Sequence, residues 1–274
     1  MIEMPEATVL AQQIAATLGG KKISNVTAAR SPHKFAWYFG DPQEYRTLLA
    51  GKTIDGAAAY GGHLEISAGD TRIAFSDGVN LRYARSGEKP AAKHQLLLEF
   101  DDDSSLVGSV QMYGGLMAFR AGQNDNQYYL VAKEKPSPLS KRFDAAYFDS
   151  LFGESMNKLP LKAFLATEQR IPGLGNGVLQ DILFNARLHP KKKVGTMSAA
   201  DKGTLFESVR NTLAQMVVAG GRDTESDLFG RPGGYATRMS RNTAGQTCAV
   251  CGTPILKESY MGGSVYYCPA CQTA

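Results

Sequence analysis

The four cysteines of the chain all lie within its last 27 residues. They form two pairs, Cys248 with Cys251 and Cys268 with Cys271, and sixteen residues separate the pairs. Two thiolates three positions apart on a tight turn can hold one metal ion, and two such turns complete a tetrahedral zinc site. Disulfide bonds are the alternative, but a chain with no other cysteine in a reducing cytosol favours metal. Because four protein ligands fill the coordination shell, the sequence predicts one structural Zn²⁺ per chain.

A second group of residues combines glycines with an asparagine just before an apolar, helix-like segment. The run 169–177 reads Gln-Arg-Ile-Pro-Gly-Leu-Gly-Asn-Gly, and apolar residues recur at helical spacing over 178–186. Free backbone amides at the start of a helix can bind an anion such as phosphate. Asn176 either caps this helix or turns its amide outward. The residues alone leave a phosphate site and a plain helix-turn-helix as alternatives.

The positive charge of the chain is concentrated near this segment. The net charge is only +4, but 158–193 carries seven basic and two acidic residues. Such a basic stretch is typical of contacts to a nucleic-acid backbone, and Lys191, Lys192 and Lys193 are the candidate phosphate contacts. The alternative is a helix face that is simply solvated.

Length and composition exclude several classes of protein. With 274 residues, 43% hydrophobic and 20% charged, the chain is an ordinary globular protein with room for two modest domains. Its apolar runs are shorter than the ~18 residues that a membrane span needs. Glu3 and Glu6 stand where a signal peptide would be basic. We therefore expect a cytoplasmic protein without a membrane partner.

Hydrophobic periodicity predicts the elements that must position these residues. An amino-terminal helix is expected over 5–18, followed by short β-rich runs typical of an antiparallel sandwich. After a proline-containing linker near residue 135 the period becomes helical, and residues 220–242 read as a loop. The β-rich runs include 52–54, 63–66, 71–75, 80–83, 94–100 and 127–131, and the later helices are predicted at 143–152, 161–167, 178–186 and 198–219. In the last segment, 253–257 and 264–267 read as two strands of a hairpin.

Three motifs in one register resemble the formamidopyrimidine-DNA glycosylase / endonuclease VIII family. The opening Met-Ile-Glu-Met-Pro-Glu-Ala is similar to the Met-Pro-Glu-Leu-Pro-Glu-Val pattern of that family. The run 169–190 looks like its helix-two-turn-helix, and the closing four-cysteine hairpin looks like its zinc finger. Lys93 and His94 also fall where the family has this pair. The resemblance covers essentially the whole chain.

The resemblance implies an α+β fold with three parts. These are an amino-terminal helix on a two-layered antiparallel β-sandwich over 1–135, a helix-two-turn-helix domain over 136–240 and a zinc finger over 241–274. The family flips a damaged base out of double-stranded DNA and cuts its glycosidic bond. Its amino-terminal proline then forms an imine with the sugar and drives strand cleavage. A monomer that binds duplex DNA at a damaged base or abasic site, associated with the nucleoid, is therefore expected.

Site residues follow from the same resemblance. Glu3 matches the first glutamate of the family motif, and Ile2 occupies the place of the catalytic proline. Asn176 matches the asparagine that holds a phosphate beside the flipped nucleotide, and Met112 with Tyr113 matches the loop that fills the vacated space. Lys93 joins them as a DNA-binding residue.

This chain departs from the family pattern at the residues that carry amine chemistry. Ile2 replaces the proline, Gly62 falls at the sandwich lysine, and Gly263 stands at the finger arginine. His63, beside the missing lysine, is a phosphate ligand or a buried sheet histidine. Glu3 is an acid-base group or a helix-start carboxylate.

Three hypotheses follow from these departures. The first is a DNA glycosylase of base excision repair whose AP-lyase activity is weak or absent. The second is a non-enzymatic reader of damaged or abasic DNA that keeps the fold for binding alone. The third has a primary amine at the amino end, exposed by removal of Met1, in the role of the proline. We favour the first, and the sequence does not reveal the lesion.

Overall fold

The computed structural model describes residues 2–273, so that Met1, and with it the question of its removal, lies outside the described residues. The chain divides into two compact units. The first comprises Met1–Lys133 with Glu225–Pro232, and the second comprises Glu134–Thr224 with Gly233–Ala274. The cysteine-rich end therefore shares a unit with the helices. The three-part division at 135 and 240 stays a prediction, because a segment can share a compact unit and still fold separately.

Helix α1 (Met4–Leu18) opens the first unit, one residue earlier than predicted. A proline in its first turn and a capping box between Glu3 and Glu6 account for its start. The predicted apolar face is buried, at Ala7, Leu10, Ala11, Ile14 and Leu18. After Gly19 the chain turns at Gly20, whose φ of +83° suits glycine.

The first unit contains a seven-stranded sheet. Its order is β1-β6-β7-β5-β4-β3, and β2 lies alongside β7. All pairs are antiparallel except β2 with β7, which is parallel. The strands are β1 (Ile23–Ala28), β2 (Ala36–Phe39), β3 (Gly56–Tyr60), β4 (His63–Ala68), β5 (Thr71–Ala84), β6 (Leu96–Phe100) and β7 (Ser105–Arg120), with the short helix α2 (Tyr45–Leu49) after β2.

Two long strands fold this sheet into two layers. A register shift between Asp77 and Val79 divides the β5–β7 pairing into two stretches. Residues from both stretches, such as Phe75 and Leu81, belong to one apolar core with residues of α1. The mixed α+β architecture expected from the sequence is therefore confirmed.

The strand predicted at 127–131 is wrong, because this segment is helix α3 (Gln127–Glu134). The Asn126 side chain accepts the Tyr129 amide at 3.1 Å and so begins the helix. Tyr129 and Ala132, three positions apart, are its buried residues. Tyr129 packs on the outer face of the sheet against Phe119. This contact on the sheet outweighs the β propensity of the aromatic and branched residues.

The predicted helices of the second unit are present. They are α4 (Ala145–Ser150), α5 (Leu161–Ala166), α6 (Val178–Asn185) and α7 (Ala199–Val218). The hairpin strands are β8 (Leu256–Tyr260) and β9 (Gly263–Tyr267), joined through Met261 and Gly262, which both have positive φ. Residues 220–242 contain isolated bridges but no helix or strand, as expected. Within residues 2–273 no helix has the length and apolar character to cross a membrane.

Candidate functional site

Ile2 and Glu3 lie at the start of α1, and both are 5% exposed. The Ile2 amide donates to the Asp77 carbonyl at 2.7 Å, and the Ile2 side chain is part of the apolar core. The Glu3 carboxylate accepts from the backbone of Glu6, while the Glu6 carboxylate accepts the Glu3 amide at 3.3 Å. Glu3 therefore caps the helix, which is one of the two roles considered from the sequence. This capping role does not prevent the carboxylate from also acting in acid-base chemistry.

The register shift in β5 brings a second carboxylate near this helix start. Asp77 has a φ of +47°, which is unusual for a residue with a side chain. Its side chain is exposed, yet the surrounding protein desolvates the carboxyl enough to raise its pKa. Burial, and then the charges of Asp77 and Glu3, raise the pKa of Tyr113. Tyr113 thus lies within electrostatic range of both carboxylates.

Met112 and Tyr113 project from β7, with 64% and 47% of their surface exposed. The backbone beneath them is tightly packed, since a Cβ at Gly78 would overlap the Tyr113 carbonyl oxygen. Two exposed apolar side chains on a firmly held strand segment fit the predicted role of wedging into a base stack.

The remaining predicted contacts of the first unit differ in exposure. Lys93 is exposed, whereas the adjacent His94 is buried and its Nδ1 lies 2.7 Å from the Ala91 carbonyl oxygen. His63 is buried on the outer sheet face, with its ring edge-on to Tyr129 at 6.0 Å. Burial lowers the pKa of His63 to about 4, so its ring is neutral at pH 7. His63 therefore provides no positive charge to substitute for the family lysine, whose position is occupied by Gly62.

In the second unit, the amide of Asn176 does not cap α6. The N-cap residue is Gly177, and the Asn176 Nδ2 donates to the Ser264 carbonyl at 3.1 Å. Gln180 donates from its Nε2 to the same Ser264 carbonyl at 3.1 Å and accepts the Tyr266 amide at 3.1 Å. The turn before α6 is thereby fastened to strand β9.

A buried lysine lies at the same place, which the sequence motifs did not single out. Lys162 on α5 is 6% exposed, and its Nζ donates to the Tyr260 carbonyl. A Cβ on Gly263 would lie 3.4 Å from the Lys162 Nζ and 3.6 Å from the Asn176 Nδ2. No carboxylate within residues 2–273 pairs with this ammonium group. A lone lysine in the apolar run Leu-Lys-Ala-Phe-Leu-Ala was the available signal.

The three consecutive lysines are not equivalent. Lys191 pairs with Glu258, and its Nζ lies 5.3 Å from the centre of the Tyr260 ring. Lys192 has a side chain that is only 14% exposed, 3.9 Å from Asp201. Lys193 is exposed. Their predicted role in DNA binding stays a prediction, and Lys193 is the best placed of the three to carry it.

The four cysteines converge at the end of the second unit. Their Sγ atoms all lie within 4.8 Å of one another, with 3.9 Å from Cys248 to Cys271 and 3.4 Å from Cys251 to Cys268. Tetrahedral zinc with Zn–S bonds of about 2.3 Å needs sulfurs about 3.8 Å apart. The cluster therefore fits a four-thiolate metal site. Its buried members pack against Phe184 and Met239, which attaches the hairpin to the helices.

These features define a class of protein, with a β-sandwich unit, a glycine turn that opens a helix and a four-cysteine hairpin. The family model described as the H2TH domain of formamidopyrimidine-DNA glycosylase matches residues 135–227. The formamidopyrimidine-DNA glycosylase of Geobacter sulfurreducens is 28% identical, with 99% of this chain and 100% of the relative covered. That of Streptococcus pneumoniae is 27% identical, with 99% of each covered.

Solved structures agree in fold. The Lactococcus lactis Fpg in complex with abasic-site DNA superimposes with a TM-score of 0.83 at 24% identity, covering 99% of this chain and 100% of the other. A second complex of that protein, with a THF-DNA and an inhibitor, gives 0.82. The chain is therefore similar over nearly its whole length to formamidopyrimidine-DNA glycosylases, and residues 135–227 match their H2TH domain.

Proposed function

We propose that this protein is a DNA glycosylase of base excision repair, which binds double-stranded DNA as a monomer and removes a damaged base. The observation that carries the proposal is the sequence similarity, over 99% of the chain, to relatives named formamidopyrimidine-DNA glycosylase. Action on chromosomal DNA would place the protein at the nucleoid in the cytoplasm.

Glu3 is the proposed acid-base residue. Its carboxylate lies at the helix start, and its charge, like that of the exposed Asp77, acts on Tyr113. A carboxylate there can activate water to attack the sugar carbon as the base departs, which is general acid-base catalysis without an amine nucleophile. The capping contact fixes the orientation of the Glu3 side chain while it does so.

The AP-lyase step is proposed to be weak or absent. An imine requires a free amine within bonding distance of the sugar, and Ile2 replaces the proline that supplies it in the family. The Ile2 nitrogen donates to the Asp77 carbonyl, and its side chain is buried in the core. If Met1 is retained, the terminal amine is displaced by about 3.8 Å along the chain. A displacement of about 1 Å can already cost a hundredfold in rate.

The second unit is proposed to hold the DNA backbone. Asn176 and Lys162 meet beside Gly263, at the position where the resemblance places an arginine. A buried ammonium group without a carboxylate partner is well suited to a phosphate oxygen. Lys193, which is exposed, would add a further phosphate contact. The four thiolates are proposed to bind Zn²⁺, which holds β8 and β9 in this position.

One assay separates the hypotheses. Duplexes carrying an oxidised base, uracil or an abasic site are incubated with the protein, and strand breaks are measured with and without hot alkali. Breaks that depend on alkali are expected, because the base is removed and the backbone remains intact. Tight binding without breaks under either condition would instead indicate a reader of damaged DNA.

Glu6 provides a matched control for Glu3, because the two carboxylates share one capping box and the same exposure. Glu3→Gln is expected to abolish base release. Glu6→Gln should perturb the helix cap to the same extent but leave base release intact. Equal loss in both variants would show that Glu3 acts only on the helix. Efficient borohydride trapping of the wild type on abasic DNA would contradict the proposed lack of imine chemistry.

A further inference from the structure

Two aromatic residues at the start of β2, Phe35 and Trp37, are not used by the proposed reaction. Ala36 and Tyr38 pack against the inner core, so Trp37, which alternates with them in β2, points to the other side of the sheet. Phe39 continues this outer row and contacts Phe119. Phe35 directly precedes β2 in a turn. Phe35 and Trp37 are 57% and 37% exposed. Within residues 2–273 neither ring stacks on another aromatic ring.

Strand pairing places these rings beside the exposed end of β7. Trp37 is the register partner of Gly115, and the Gly114 amide donates to the Phe35 carbonyl at 3.1 Å. Phe35 is therefore next to Tyr113. A Cβ on Gly115 would lie only 2.5 and 2.6 Å from two atoms of the Trp37 ring, so this glycine makes room for the indole. Together with Met112, these residues form one exposed surface, which we call the aromatic face.

The part of the outer sheet surface next to this face is covered. Phe39, Met117, Phe119 and Ala74 form a cluster with Tyr129 of α3. Phe35 and Trp37 lie outside that cluster. The aromatic face is thus the open end of an otherwise packed surface.

One cation adjoins the aromatic face, and two more lie together near the start of β6. Lys34 lies with its Nζ 5.3 Å from the centre of the Phe35 ring. Arg30 lies in a segment whose flanking amides, of Ala29 and Ser31, donate to the carbonyls of Gln95 and His94, next to Lys93. Arg30, Lys34 and Lys93 are exposed, and none has a carboxylate within 4.0 Å among the residues described. The acids near Tyr113 are Asp77 and Glu3.

We propose that the aromatic face binds unpaired nucleobases of single-stranded DNA by stacking on Phe35 and Trp37, while Arg30, Lys34 and Lys93 contact its phosphates. Exposed aromatic rings bordered by cations without acidic partners are the combination that such DNA requires. A protein partner would give these cations no role unless it were acidic. The inference extends the proposed function, because it gives the chain a binding site for DNA that has no lesion.

The chain offers an internal probe, because Trp37 is its one tryptophan. Emission from Trp37 is followed while the full-length protein is titrated with a short oligothymidylate. A matched oligomer of the same length, made of abasic deoxyribose-phosphate analogues, carries the same charge without bases. Quenching by the oligothymidylate and unchanged emission with the baseless oligomer are expected, since only a base can stack on the indole.

Affinity supplies the second measurement. Phe35→Ala is expected to weaken binding of the labelled oligothymidylate about tenfold, in line with the loss of one stacked base. Its affinity for the baseless oligomer should stay within about twofold of the wild type. Phe229→Ala is the control, because Phe229 is 39% exposed but packs against Tyr83, away from β2. Circular dichroism would check that both variants keep the fold.

The inference is overturned if Trp37 emission does not change at saturation, or if both oligomers bind with equal affinity. The same holds if Phe35→Ala and Phe229→Ala behave alike. Neither oligomer contains a lesion, so these results are independent of the glycosylase assay. A protein that releases damaged bases but ignores the oligothymidylate would retain its proposed function and lose only this site.

Discussion

The buried histidine of the first unit should make that unit sensitive to acid. His63 is 8% exposed, and its Nδ1 has no hydrogen-bond partner among the residues described. Burial lowers its pKa from 6.5 to about 4 in the folded protein. The unfolded chain therefore binds a proton between these values while the folded chain does not, so stability falls as pH falls through this window. At pH 5 the loss is about 2 kcal/mol, and below pH 4 it approaches roughly 3 kcal/mol, at 1.36 kcal/mol for each pKa unit.

The measurement is urea unfolding followed by Trp37 fluorescence, which reports on the first unit because that is where the tryptophan lies. His63→Phe removes the titrating group and the unpartnered nitrogen while keeping a ring beside Tyr129. The variant should be at least as stable as the wild type at pH 7. Between pH 7 and pH 5, the free energy of unfolding should fall by about 2 kcal/mol less in the variant than in the wild type. An identical pH dependence in both proteins would refute the reasoning, because other carboxyl and imidazole groups are common to the two.

Three further predictions concern the metal site, a buried carboxylate and a close backbone contact. Cys268→Ser should release the metal, unfold the hairpin and weaken DNA binding while sparing the first unit, and elemental analysis that finds no zinc in the wild type would contradict the assignment. Asp181 is 1% exposed and accepts two backbone amides at 2.9 and 2.7 Å, so Asp181→Ala should destabilise the second unit by about 3 kcal/mol in calorimetry. Gly78→Ala should displace the Tyr113 backbone and lower the melting temperature of the first unit, because its Cβ would lie 2.2 Å from the Tyr113 carbonyl oxygen. Gly56→Ala in β3 is the control and should leave that melting temperature nearly unchanged, since its Cβ would meet open space and Gly56, like Gly78, has no positive φ.

Local patterns in the sequence were sufficient for most of the elements. The spacing of Ala7, Leu10 and Ile14 predicted α1, and the Cys-x2-Cys pairs predicted a cluster that the structure assembles. The segment 127–131 was misassigned because its helical state depends on distant residues. The Tyr129 hydroxyl and Lys133 both bond to the buried Glu65, one helical turn apart. A strand would also place these two side chains on one side, but farther apart. Whether the segment forms a helix or a strand therefore depends on contacts with Glu65, which is distant in sequence, and local propensity does not report such contacts.

The candidate site could be predicted only as far as its motifs extend. Asn176 and Glu3 stand in recognisable patterns, and the structure gives each a defined contact. Lys162 is in no motif, and its importance comes from a glycine a hundred residues later in the chain. Asp77 likewise becomes notable only through the register shift of β5. Proximity of this kind arises from tertiary packing, so single-sequence patterns miss it.

The three departures from the family pattern have different physical consequences. At Gly263 a side chain is missing, but the Lys162 ammonium group lies next to the open position. At Gly62 no such substitution is present, because the adjacent His63 is buried and neutral. At Ile2 an apolar side chain has joined the core. A cation is therefore retained where phosphate would be held, while the group suited to imine formation is replaced by one that only packs. This difference favours the proposed function, in which the protein binds damaged DNA. In that proposal Glu3 activates water, which takes the place of the amine nucleophile.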